Sequence, residues 1–341
     1  MAQSHLNNVP SKVQNGEWRP DHPLTVRQLL LEYWLPAQAS RNRRPATISQ
    51  YRVVVNSWIV PGIGDHRAST LTPGHVQRLV DTLCTSRSPS GRDGLSPRSL
   101  QLVVGTLKSA YKFAVESELL VRNPIASVRR PTLQHQTMNA WNETQARQFL
   151  ADTRDDVLAA VWALLLTRGL RRGELCGLRW EAIDLDAGTA TIVHTLIVVD
   201  GRVLAPTPKT LSSRRSLPLD ASLVSLLIGH RKRQFEDRQR AGEAWTETGY
   251  VFVDQVGRPC SPELVSDRFD RLVKAPELPR IRLHDTRHTA ASLMLASGVS
   301  VKVVQEMLGH SSPAITLAIY AHKTPSMAKE AGEALSTSLL G

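Results

Sequence analysis

The sequence predicts a mainly α protein of the α+β class: an N-terminal helical bundle, then a mostly helical domain holding one small antiparallel sheet. Three observations predict it. At 341 residues the chain is too long for one ordinary core, and its 41% apolar content is enough to fill two. Apolar residues recur at helical spacing through most of the chain, whereas only Thr191 to Val199 is dense in β-branched residues. Charge is divided unevenly: residues 1–130 hold 17 Lys+Arg against 8 Asp+Glu, a net of +9, while the whole chain carries +11.

Residues 1–22 are polar and turn-rich with no hydrophobic period, which predicts a flexible tail. Val26, Leu29, Leu30 and Trp34 give Leu24 to Trp34 a helical face. Thr47 to Val60 is a second helix, stopped by Pro61-Gly62. Thr72-Pro73 joins a capping hydroxyl to a proline at the first helical position and opens a helix to about Leu83. After a Ser/Gly/Arg-rich loop, Ser96-Pro97 repeats that signal, and Leu100, Val103, Val104, Leu107, Tyr111 and Ala114 carry a face to about Leu119. Residues 23–122 are therefore a small helical bundle. Asn123-Pro124 ends it, and residues 123–139, with paired arginines and few apolar residues, read as a linker.

In residues 140–322, helices are expected over Asn142 to Leu150 and Asp155 to Leu166. Thr191 to Val199 is a strand, Asp200-Gly201 a hairpin turn, and Arg202–Ala205 and Arg214–Leu219 the two further strands of the sheet. Beyond Leu219 the pattern is helical, with turns at Gly257, Pro276 and Gly298. Within 323–341, Ala328, Ala331, Leu335 and Leu339 predict a helix with a weakly apolar face.

A pI near 10 suits a polyanionic partner, nucleic acid before an anionic membrane. Arg41, Arg43, Arg44 and Arg52 precede or open the second helix and suit DNA phosphates; a solvated charge run is the alternative. No run approaches the ~18 apolar residues of a membrane span. The N-terminus, with Asn7, Asn8, Lys12 and Glu17, lacks the apolar stretch of a signal peptide. Cys84, Cys176 and Cys260 are far apart, form no metal spacing, and suggest a reducing, cytoplasmic compartment.

The chemistry is concentrated in a few strings. G-L-R-R-G-E-L at Gly169 to Leu175 supplies Arg171, with Arg168 and Arg172 as alternative anion ligands, and Glu174, a pocket organiser or a helix ion-pair residue. P-T-P-K-T supplies Lys209, which a hairpin can project; Lys232 and Lys274 are alternatives. H-D-T-R-H at His284 to His288 sets His284 and Arg287 on one helix face. L-G-H-S-S-P-A-I-T-L-A-I-Y-A-H, from Leu308 to His322, adds His310 and Tyr320. Imidazoles, arginines and a phenol together can hold a phosphate and attack it. A phenol has a pKa near ~10 and needs a cationic site to act as a nucleophile. His284 and His288 have a spacing also used for zinc, but the residues between them are Asp-Thr-Arg rather than the Glu-x-x of a metalloprotease, and the arginine would repel a cation, so neither metal nor cofactor is expected.

Taken in order, Arg171, Lys209, His284, Arg287, His310 and Tyr320 fill the pattern R…K…H-x-x-R…[H/W]…Y, and over roughly residues 24–325 the chain resembles the tyrosine recombinases, within them the phage-type integrases. The resemblance implies a SAM-like core-binding domain at 23–122 and a catalytic domain at 140–322, closing as a C-shape on a double-stranded attachment core site. It implies attack by Tyr320 to give a 3′-phosphotyrosine and a free 5′-hydroxyl. Arg171 and Arg287 would fork onto the non-bridging oxygens, Lys209 protonate the leaving oxygen, His284 take the tyrosine proton and His310 hydrogen-bond the phosphate. Glu174 matches the acidic residue usual in the first box.

The resemblance further implies a homotetramer on DNA exchanging strands through a Holliday junction, without ATP, metal or cofactor. It implies an excisionase and a host DNA-bending protein as accessory partners, integration of a phage or mobile-element genome in a bacterial nucleoid, and docking of the 323–341 tail into a neighbouring protomer. The sequence departs from many phage integrases in having only residues 1–22 where they carry an arm-binding domain; either arm binding is absent or the chain is shortened. A type IB topoisomerase shares the R-K-R-H-Y chemistry, but the Leu308–His322 string and short core-binding domain favour recombination. A catalytically silent DNA-binding regulator would not need the filled set.

Overall fold

The computed structural model of the chain describes residues 24–41, 43–85, 94–132, 139–205, 215–274, 278–309 and 337. It divides into two compact units, Met1–Gln136 and Thr137–Gly341. The architecture is mainly α with small antiparallel sheets, as the sequence predicts.

The first unit is a helical bundle. Helix α1 runs through Val26–Gln28, a π-helical stretch Leu29–Trp34, and Leu35–Ser40. Helix α2 runs through Pro45–Val53, a second π-helical stretch Val54–Ile59, and Val60–Ile63. Helices α3 (Pro73–Thr85) and α4 (Pro97–Glu116) follow. Thr25 caps α1 and is answered by Gln28, and the Ser96 hydroxyl accepts from Ser99 N–H at the start of α4. The core is built on Leu29, Leu30, Trp34, Ile59, Leu107 and Tyr111, and the Tyr111 hydroxyl donates to Ala68 O at 3.1 Å.

One boundary differs from expectation. Pro61-Gly62 does not stop α2, which continues to Ile63. A proline inside an α-helix lacks its N–H and collides with the carbonyl four residues back. Here the widened turn absorbs it: the Val60 N–H reaches five residues back to Val55 O, and Pro61 follows at once. Helix α1 repeats the device, with Leu35 N–H on Leu30 O and Pro36 next.

The second unit carries α5 (Glu143–Asp152), α6 (Ala159–Arg168), the short α7 (Arg172–Cys176), α8 (Ala221–Ala241), α9 (Pro262–Lys274), α10 (Asp285–Ala296) and α11 (Val301–Leu308). Helix α6 is buried from Ala159 to Leu166 and packs against α8 and α10. Trp141, Phe149, Trp162 and Phe269 form an aromatic cluster beside it, centroids 5.0–6.1 Å apart.

The strands are β1 (Ile183–Asp184), β2 (Thr189–Ile192), β3 (Ile197–Val199), β4 (Arg202–Leu204) and β5 (Arg215–Pro218). They form a three-stranded antiparallel sheet in the order β1-β2-β5 and a separate β3–β4 hairpin. The single strand expected over Thr191 to Val199 is thus split in two. The cause lies in α7: Leu196 N–H donates to Gly173 O at 2.9 Å, so the chain leaves the sheet to lie along that helix. A Cβ on Gly173 would come within 2.5 Å of Leu196 O, and one on Gly177 within 2.7 Å of His194 O. Two glycines on one face of α7 make that approach possible. The Asp200-Gly201 turn has φ 50° and 74°, as its sequence signals.

Candidate active site

The site is assembled where α6, α7, β5, α10 and α11 meet. Helix α6 ends at Gly169, whose φ of 61° is left-handed, and the chain re-enters a helix at Arg172. A Cβ on Gly169 would lie 2.3 Å from a Leu308 methyl and 3.7 Å from Arg287 Cγ, so a larger residue would push α11 and α10 away. Arg171, just before α7, donates its backbone N–H to Glu174 Oε2 at 2.9 Å and Nη1 to Glu174 Oε1 at 2.7 Å.

Three guanidiniums converge here, those of Arg171, Arg215 and Arg287. Arg215 grips both oxygens of Glu174, at 3.1 and 2.8 Å. Arg287, 3% exposed, donates Nη1 to Gly169 O at 2.7 Å. Each arginine also takes one carbonyl at the end of α11. Arg215 Nε donates to Met307 O at 2.7 Å, Arg287 Nη2 to Leu308 O, and Arg171 Nη2 to Gly309 O at 2.8 Å. A helix leaves its last carbonyls without intrahelical partners, and cations there also meet the negative end of its dipole. The arginines thereby fix the point from which the chain passes into His310.

Among the described residues the charges are unequal, with three guanidiniums facing one carboxylate. Burial alone would raise the Glu174 pKa, but hydrogen bonds and charge from Arg215, then Arg171, bring it down to about 2. Arg287 is pushed down to about 9, first by burial and then by Arg171, with Arg215 adding and Glu174 opposing. Burial is the first cause of that lowering and the neighbouring guanidiniums add to it, so an anion beside the cluster would favour the charged form.

His284 stands at the start of α10 on the rim of a cavity of about 370 Å³, lined also by Arg172, Ser266, Asp270, Arg282 and Leu283. Burial, then Arg287, lowers its pKa below the ordinary 6.5, so the imidazole is neutral at pH 7. The His288 ring packs edge-on to it at 5.6 Å, and His288 Nδ1 is buried with no hydrogen-bond partner among the described residues. Asp285, 3% exposed, accepts from Arg282 N–H, Nε and Nη2 at 2.9–3.0 Å and so holds the turn before α10.

The neighbours of Arg171 are engaged elsewhere. Arg168 donates to Pro218 O and pairs with Asp220, while Arg172 donates to Ser266 Oγ at 2.7 Å. Lys209, His310 and Tyr320, and the 323–341 tail apart from Thr337, lie outside the described residues. In the first unit Arg41, Arg43, Arg44 and Arg52 are exposed around the start of α2, with the Arg41 guanidinium 5.8 Å from the Phe113 ring centroid.

Sequence reasoning missed Arg215, reading it only as part of a strand. A signal was present: on β5, Arg215 shares the inward face with the buried Leu217. A charge at an inward strand position needs a buried partner of opposite sign.

The model of the phage integrase family matches residues 132–327, and that of the phage integrase N-terminal SAM-like domain matches residues 26–84. A XerC-like tyrosine recombinase of Caldanaerobacter subterraneus is 26% identical over 90% of this chain and 82% of its own length. The ICEBs1 integrase of Bacillus subtilis is 29% identical over 80% of this chain and 75% of its own. Among solved structures, the Tn1549 transposon integrase with circular intermediate DNA superposes with a TM-score of 0.74 at 22% identity, covering 92% of this chain and 99% of that one. A lambda integrase tetramer on a Holliday junction superposes at 0.63 with 18% identity, covering 92% and 86%. At these identities the two structures establish a shared fold.

Proposed function

The chain belongs to the phage integrase family, and from that premise we propose how it acts: as a site-specific DNA recombinase that cleaves and rejoins strands through a 3′-phosphotyrosine on Tyr320. The observation that carries the reading is the cluster of Arg171, Arg215 and Arg287 around the single carboxylate of Glu174. Such a cluster matches a phosphodiester whose transition state gains negative charge. Arg171, 43% exposed on its side chain, keeps N–H groups for the non-bridging oxygens, and Arg287 supplies charge from beneath. Neutral His284 accepts the phenol proton, and His310, next after Gly309, reaches the phosphate. The covalent bond keeps the energy of the broken phosphodiester, so rejoining needs no ATP.

The DNA held by the Tn1549 and lambda integrases supports double-stranded core sites as this chain's partner, and the lambda tetramer supports assembly as four protomers on a junction. Arg41, Arg43, Arg44 and Arg52 are assigned to backbone phosphates. Excisionase and a host DNA-bending protein are the accessory partners of this reading, and the 323–341 tail docks in a neighbouring protomer.

The test is a protein–DNA adduct on nicked core-site duplex, formed in the presence of EDTA and followed by recombination between two sites. Relaxation of plasmid lacking any site, without recombination, would mean a topoisomerase instead. Lys209→Ala is expected to fail on ordinary DNA and recover near wild-type cleavage on a 5′-bridging phosphorothiolate, whose thiolate leaves without a proton. Equal slowness on both substrates would pass the acid role to Lys232 or Lys274.

Cleavage is also expected to fall on acidification with a midpoint below 6.5, because protonated His284 cannot accept the phenol proton and burial holds its pKa under that value. A single-turnover pH profile measures this. A midpoint above 7, or one unchanged in His284→Gln, would remove His284 from the role.

A further inference from the structure

Arg215 belongs to the arginine cluster but has no step of its own in the mechanism above, and its guanidinium is taken up by Glu174 and the Met307 carbonyl. We propose that Arg215 is a positioning residue for strand cleavage, acting through Glu174: it takes up the carboxylate's charge so that the charge of Arg171 remains for the phosphate.

Four observations carry this. The Arg215 side chain is 9% exposed and that of Glu174 7%, so the pair is shielded from solvent and its charges act at full strength on their neighbours. Arg215 spans both carboxylate oxygens, whereas the Arg171 side chain meets only one of them. Arg171 is far more open, at 43%, so of the two it is the one an incoming phosphate can reach. Arg215 also donates Nε to Met307 O, two residues before the Gly309 carbonyl that Arg171 holds, and its guanidinium would lie 3.0 Å from a Cβ at Gly309. One side chain thus sets both anchors of Arg171.

With Arg215 present, one carboxylate is shared by two guanidiniums and Arg171 retains much of its charge. Without it, Glu174 has Arg171 as its only ion-pair partner among the described residues, and that pair is neutral toward an anion. Arg171 would then stay bound to Glu174 when it should turn to the phosphate. Loss of Arg215 therefore harms cleavage because Glu174 is charged. Neutralising Glu174 should repair much of the damage, a relation that simple loss of packing would not produce.

This inference rests on the strand-cleavage reading, and the experiment separates the two. Single-turnover adduct formation on nicked core-site duplex is compared for the wild-type chain, Arg215→Gln, Glu174→Gln and the double variant, with circular dichroism and thermal unfolding on each. Arg215→Gln is expected to lose roughly a hundredfold in rate. On the Glu174→Gln background the same change is expected to cost under about fivefold, a coupling of the size known for residues in one network. Arg215→Lys keeps the charge but cannot span both oxygens; it is expected to retain cleavage within about tenfold, and it carries the test should the glutamine variant not fold.

Losses that multiply in the double variant would overturn the proposal while leaving the functional reading intact. A lysine variant as inactive as the glutamine one, though folded, would do the same. Absence of any adduct with the wild-type chain would overturn the functional reading, and the role of Arg215 with it.

Discussion

Tyr320→Phe is expected to abolish the covalent protein–DNA adduct and leave DNA binding nearly intact. The change removes one oxygen and no charge at neutral pH, so phosphate contacts survive. What it deletes is the phenolic oxygen proposed to form the phosphoester bond. Loss of a nucleophile with the rest of a site in place costs on the order of four to six powers of ten in rate. Wild-type and variant chains are incubated with nicked core-site duplex, and denaturing electrophoresis reports the adduct while a native gel reports binding. Adduct at an undiminished level would take Tyr320 out of the reaction, and Tyr250 would not replace it: that ring is 8% exposed and lies under the Arg179 guanidinium at 4.8 Å.

Tyr320 is proposed as the nucleophile from its sequence string and lies outside the described residues; the strings that are described show what sequence makes legible. His284 and Arg287 fall three residues apart at the start of one helix, as their spacing suggests, and both feel the charge of Arg171, which the spacing alone does not tell. Helices with capped starts, such as α4 behind Ser96-Pro97, were equally readable, since cap and proline act locally. What sequence could not give depends on distant partners. The strand after Ile192 breaks because Gly173 and Gly177, some twenty residues earlier, draw it onto α7. Helix α2 passes Pro61 because an upstream turn had widened. Arg215 escaped notice because its meaning lies in Glu174, 41 residues before it, and in the Met307 carbonyl, 92 residues after. Each is a tertiary decision overriding a local preference.

Arg287→Ala is the second large effect expected, and its cause differs from that of Arg171→Ala. Both should slow cleavage by roughly two to three powers of ten, or about 3–4 kcal/mol, because each removes positive charge from the transition state. Their structural consequences diverge. Arg171 is half in solvent, and its loss leaves Glu174 still bound by Arg215. Arg287 is buried, and its loss leaves the carbonyls of Gly169 and Leu308 without their donor, each costing on the order of 1–3 kcal/mol. Against that stands a gain. Burial, then Arg171, holds its folded pKa down at about 9, below the ordinary guanidinium range, so below pH 9 the charged side chain opposes folding, and alanine removes that opposition. The two terms have opposite signs, so the unfolding temperature of Arg287→Ala should move little while cleavage collapses. An anion should separate the variants further. Sulfate, which can relieve the crowded cations, is expected to raise the unfolding temperature of the wild-type chain and to raise it less in either variant. Arg172→Ala, which loses only a bond to Ser266 Oγ, should behave as wild type in all three measurements. An inactive Arg172→Ala beside an active Arg171→Ala would shift the phosphate ligand by one residue. A sulfate response unchanged by Arg287→Ala would mean that the buried guanidinium serves the helix junction alone.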